Sequence, residues 1–158
     1  MDDLKVEIIR LEPMIVASAY AYGKSPEIDA WKKLETWAEP LGLLHKLEKY
    51  PVYGYNNPPP MPDNPEYGYE FLMKVDPGAR PSNEVRLYLF YGGPYAVTRC
   101  EVKNQHMEII PAAWKRLEEW CKNNGYKHDF RPGLEKHVSA LINPDELILD
   151  LYFPIKEK

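Results

Sequence analysis

Ala30-Trp31-Lys32-Lys33-Leu34-Glu35-Thr36-Trp37 is largely written a second time, 83 residues later, as Ala113-Trp114-Lys115-Arg116-Leu117-Glu118-Glu119-Trp120. The register runs outward to Gly42 and Gly125, each five residues beyond the second tryptophan of its copy. All four tryptophans of the chain fall in these copies, so chance is a poor account of the match. The repeat points to two similar units, each built on one amphipathic helix, facing each other within one domain of 158 residues.

The segments around each copy fit that frame. Lys5 to Leu11 alternates, with Val6 and Ile8 on one side, and predicts a first strand. Pro13 breaks it, and Met14 to Tyr22 follows as a second strand with Ile15, Ala17, Ala19 and Ala21 on one face. Ser25-Pro26-Glu27 then opens a helix reaching about Pro40, with Ala30, Leu34, Trp37 and Leu41 as its apolar stripe and Gly42 as its stop. Tyr50 to Tyr55 and Glu66 to Val75 are strands on either side of a proline-rich connector, Pro58 to Pro65. The second copy repeats the order: strands Glu84–Tyr91 and Tyr95–Lys103, a helix Ile110–Lys122 with Ala113, Leu117 and Trp120 inward, and a terminal hairpin. That hairpin pairs Gly133–Leu141 with Glu146–Ile155 across Asn143-Pro144-Asp145. The expected fold is α+β, a duplicated strand-helix-strand-strand unit with repeat one at about 4–76 and repeat two at about 84–156.

Composition narrows the function classes. The hydrophobic fraction of 44% indicates a globular core, and no apolar run approaches the ~20 residues of a membrane span. With a net charge of −4 and interspersed signs, the chain lacks the basic stripe that nucleic acid requires. Met1-Asp2-Asp3-Leu4 has no signal-peptide character, and Cys100 and Cys121 form no disulfide framework, so a cytoplasmic setting is expected. His45, His106, His128 and His137 lack the close spacing of metal ligands, and no phosphate loop or nucleophile elbow is written. Neither metal nor cofactor is expected. Cys121, without a base beside it, reads as core.

The informative chemistry lies on the sheet face turned from the helices. If Tyr69 and Phe71 face the first helix, alternation turns Glu70 away from it, and Asp150, 80 residues on, does the same. Glu135, His137 and Ser139 share one face of their strand, and Tyr53, Tyr55, Tyr88, Phe90 and Tyr152 supply rings near these acids. Carboxylates among aromatic rings suit a flat, lipophilic cation, because the rings offer negative faces and the acid neutralises the charge. The alternative from the same residues is plain packing: tyrosine favours strands for its own sake, and sheet glutamates commonly meet lysine or water.

The chain resembles the GyrI-like small-molecule-binding domain, the effector-binding domain of AraC-type and MerR-type activators, over nearly its whole length. The residues that carry the resemblance are Tyr55-Asn56-Asn57-Pro58, Gly93-Pro94-Tyr95-Ala96-Val97, Leu134-Glu135-Lys136-His137 and Phe153-Pro154-Ile155, in that order around the two Trp helices. The resemblance implies a curved antiparallel sheet with two helices on one side and a ligand cleft on the other, taking lipophilic, often cationic aromatic compounds for sensing or sequestration. It implies Glu135 as the acidic centre. His137 stands where the family has tyrosine, and Asn56 and Asn57 stand where it has acids, so the ligand preference is expected to differ. No helix-turn-helix segment is recognisable, which implies a sensor module alone. Two further expectations follow from the resemblance: hydrolysis of strained, cyclopropane-bearing electrophiles, with Glu135 as base and Tyr55 or Tyr69 as acid, and inhibition of a protein partner such as DNA gyrase.

Overall fold

A computed structural model describes residues 4–104, 106–138 and 146–157. Eight strands and two helices follow in the order β1 (Glu7–Leu11), β2 (Met14–Gly23), α1 (Pro26–Ala38), β3 (Val52–Asn56), β4 (Tyr67–Lys74), β5 (Val85–Phe90), β6 (Gly93–Lys103), α2 (Ile109–Asn123), β7 (Leu134–His137) and β8 (Glu146–Pro154). The strands pair antiparallel in two runs, β1-β6-β8-β7 and β3-β4-β2-β5. Contacts divide the chain into two compact units, residues 13–90 and residues 1–12 with 91–158. Each unit holds one of these runs. The leading strands are therefore exchanged relative to the sequence repeats, since β1 pairs with β6 and β5 pairs with β2.

In the 13–90 unit, α1 packs on β2 and β4. The alanines at 17 and 19, with no exposed surface, let the helix approach the sheet closely. Leu34, Phe71, Met73 and Val52 fill the layer between them, and Trp31 meets Phe71 edge-on at 5.6 Å. This corrects the expected stripe of α1. Its buried positions are Pro26, Ala30, Trp31, Leu34 and Ala38, whereas Leu41 is 57% exposed and Trp37 lies at the margin, donating its indole N–H to the Arg80 carbonyl. The stripe turned because the α-helix stops at Ala38; Glu39–Leu41 tightens into a 3₁₀ turn that throws Leu41 outward. Ser25 occupies the N-cap position without a side-chain cap bond, so Pro26 at the first turn and the acids Glu27 and Asp29 mark the start.

In the other unit, α2 covers β6 and β8 through Leu117 and Cys121, which meet Ala96, Cys100, Val102, Leu149, Leu151 and Ile155. Trp114, Trp120 and Tyr126 pack around this cluster, with Trp120 stacked on Tyr126. The paired glycines of the repeat, Gly42 and Gly125, both take positive φ (71° and 77°), a conformation that a Cβ disfavours and that ends each helical segment. The expected turn at 143–145, Ser139 and the end of the strand to Leu141 lie outside the described residues. No helix among the described residues is long and apolar enough to cross a membrane.

Candidate functional site

Strand β4 alternates, and the contact of Phe71 with Trp31 turns its odd-numbered residues towards α1. Glu70 therefore sits on the opposite face, only 3% exposed. Its cross-strand partners are Tyr20 on β2 and Tyr55 on β3. Ser18 Oγ and Tyr88 Oη each donate to Glu70 Oε2 at 2.6 Å, and Tyr55 Oη donates to Oε1 at 2.7 Å. Hydroxyls are neutral donors. They stabilise a buried carboxylate without cancelling its charge. Among the described residues no Lys, Arg or His forms an ion pair with Glu70. The three donors occupy three of the roughly four lone-pair positions of a carboxylate, which leaves one on Oε1.

Burial, and then the bond to Glu70, push the phenols of Tyr55 and Tyr88 far above the ordinary tyrosine range. Both rings keep their protons and remain donors. Tyr53 and Phe90 lie on the same face by alternation along β3 and β5, as do Tyr20 and Tyr22 along β2, so with Tyr55 and Tyr88 the unit presents one acid and six rings on a single side. Tyr69 does not join them. It is buried on the α1 face against Phe71, with its ring over Gly54, where a Cβ would collide with it. Ser18 was not singled out from the sequence, although the period-two pattern that put Ala17 and Ala19 on the helix face leaves Ser18 on Glu70's side.

The remaining sequence candidates lie in the other unit. Glu135 is the register partner of Leu151 and His137 that of Leu149, so both side chains share the face that α2 covers, away from Asp150. Glu135 is half-buried, 3.5 Å from the indole nitrogen of Trp114, and burial pushes the His137 imidazole down to about 4. Asp150 is held by Arg99 through Nε at 2.9 Å and Nη2 at 3.3 Å. Tyr152 packs edge-on against Tyr95, and burial with the nearby Asp150 pushes its phenol up to about 12.

Arg131, unmarked in the sequence, ties several segments of this unit together. It donates to the carbonyls of Gly92, Pro94 and Ile155 and to Asp129, and it stacks 4.4 Å above the Tyr95 ring. Among the described residues no cluster of His, Cys, Asp or Glu could hold a metal ion.

Comparison with known proteins places this geometry. The model of the family described as GyrI-like small molecule binding domain matches residues 4–156. No curated protein sequence matches the chain. Among solved structures, EcmrR in a complex with DNA aligns with a TM-score of 0.67 at 13% identity; the match covers 98% of this chain and 58% of EcmrR. A hydrolase from Listeria innocua aligns with a TM-score of 0.68 at 12% identity, covering 96% of this chain and 92% of the hydrolase. SAV2435 bound to tetraphenylphosphonium aligns with a TM-score of 0.56 at 10% identity, covering 97% of this chain and 94% of the other. At such identities the structures share a fold with this chain.

Proposed function

The chain belongs to the GyrI-like small molecule binding domain family, and from that premise we propose that it binds lipophilic, cationic aromatic compounds at the Glu70 face of the 13–90 unit. One observation carries the reading: a carboxylate 3% exposed, held by three hydroxyls and by no ion pair among the described residues. A buried charge that is hydrogen-bonded but not neutralised gains from a guest cation, and the rings of Tyr55 and Tyr88 offer that guest their negative faces. SAV2435 with its bound tetraphenylphosphonium supplies the probe. Sensing or sequestration are the roles this chemistry serves. Glu135, the acid the family resemblance implies, is the comparison position.

Titration with tetraphenylphosphonium, followed by calorimetry and by melting temperature, tests the proposal. Saturation at 100 times the dissociation constant stabilises the protein by about 2.7 kcal/mol. Glu70→Gln is expected to abolish binding while Glu135→Gln retains it. Binding that survives Glu70→Gln unchanged sinks the assignment of the anchor.

The 2.7 Å bond between Tyr55 and Glu70 supports a second reading, hydrolysis of a strained electrophile. Glu70 would take the proton of an attacking water, and Tyr55 would give its own to the atom released. Turnover of a cyclopropane-bearing electrophile, lost in Tyr55→Phe while phosphonium binding persists, distinguishes it from binding alone.

A further inference from the structure

Arg86 shares the Glu70 face. It is the register partner of Ser18, the residue whose hydroxyl donates to Glu70, and alternation along β5 puts it on the same side as Tyr88. Its guanidinium carbon lies 5.6 Å from the centroid of the Tyr88 ring. Among the described residues no carboxylate forms an ion pair with it, and the side chain is exposed. Tyr88 is therefore used at both ends, its hydroxyl given to Glu70 and its ring to Arg86. A guest cation that answers Glu70 and stacks on these rings meets a resident cation already on one of them.

We infer that Arg86 sets the charge selectivity of the site, an inference that rests on the binding reading above. It disfavours simple cations and favours dipolar aromatic ligands, whose cationic end neutralises Glu70 and whose anionic substituent pairs with the guanidinium. Two like charges about 6 Å apart at a partly hydrated surface repel enough to change affinity about tenfold, and a carboxylate on the guest reverses the sign of that effect. The substrate class is thus a zwitterionic aromatic compound in preference to a bare cation.

The test compares tetraphenylphosphonium with (4-carboxybutyl)triphenylphosphonium, zwitterionic at pH 7, by calorimetry on wild type, Arg86→Gln and Arg86→Lys. Wild type is expected to favour the carboxylate-bearing probe. Arg86→Gln is expected to tighten tetraphenylphosphonium about tenfold and to weaken the other probe, inverting the order. Arg86→Lys keeps the charge and should keep the wild-type order with a smaller margin, because an ammonium loses the flat stacking on Tyr88. An affinity ratio unchanged in Arg86→Gln, with both probes still dependent on Glu70, overturns the selectivity role and leaves the binding site standing. Failure of both probes to bind wild type overturns the binding reading and this inference together.

Discussion

His137 makes the stability of this protein depend on pH in a range where most side chains are silent. The imidazole lies on β7 opposite Leu149, 9% exposed under α2, and burial alone pushes it from 6.5 down to about 4. As pH falls below 6.5, the unfolded chain takes up a proton that the folded chain refuses until about 4. The unfolded state thus binds more protons across that window, so stability falls as pH falls and levels off below it. The gap of about 2.5 units, at about 1.4 kcal/mol per unit, amounts to about 3 kcal/mol in full, of which about 2 kcal/mol is lost by pH 5. Urea unfolding of wild type and His137→Leu at pH 7.5, 6, 5 and 4.5 measures it. Carboxylates titrate alike in both proteins, so the difference between the two curves isolates the imidazole. Wild type should lose about 2 kcal/mol relative to the variant between pH 7.5 and 5. Parallel curves would refute a buried, neutral His137.

The cradle around Glu70 separates charge from hydrogen bonding. Glu70→Gln keeps an acceptor for the hydroxyls and should unfold within about 1 kcal/mol of wild type in urea, whereas Glu70→Leu strands Ser18, Tyr55 and Tyr88 and should cost about 3 kcal/mol or more; equal stability of Leu and Gln variants would show that the hydroxyls find other partners. Arg131→Ala removes the donor shared by the carbonyls of Gly92, Pro94 and Ile155 and should cost about 2 kcal/mol by the same assay, with Arg131→Lys recovering less than half, because an ammonium lacks the planar fork. Cys121 is 1% exposed and burial pushes its thiol up to about 11, so with Cys100 it should resist Ellman's reagent at pH 8 until the protein unfolds; a thiol titrated rapidly in the native state would contradict its place under α2.

Much of the fold could be read from alternation and repetition because both report local geometry. The two Trp helices, the eight strand positions and the face of Glu70 all follow from periods of 3.6 and two. What alternation cannot report is the partner. Glu135 and His137 share a face in the sequence, but which face depends on the register with β8, where Leu151 and Leu149 stand opposite them under α2. The exchange of β1 and β5 between the compact units is a choice of partners of the same kind. Arg131 sits in a loop whose significance arises only when three carbonyls converge on it.

Each unit carries an acid on the corresponding strand, Glu70 on β4 and Asp150 on β8, yet their cross-strand neighbours make them chemically different. The register partners of Asp150 are Arg99 and Lys136, and Arg99 closes on it through two N–H groups and answers its charge inside the unit. The partners of Glu70 are tyrosines, and the donors it collects from Ser18, Tyr55 and Tyr88 are all hydroxyls. A guanidinium cancels a carboxylate; a hydroxyl only solvates it. The difference lies at both register positions, Arg99 and Lys136 beside Asp150 against Tyr20 and Tyr55 beside Glu70, and it leaves the 13–90 unit with a buried negative charge that its own side chains do not neutralise. Arg99→Tyr would remove the guanidinium that pairs with Asp150, and Tyr20→Arg would give Glu70 a cationic partner. If the proposed binding depends on the uncancelled charge, Tyr20→Arg should abolish phosphonium binding as fully as Glu70→Gln does, with Glu70 itself intact. Retention of wild-type affinity in Tyr20→Arg would mean that ring stacking, and not charge, holds the ligand.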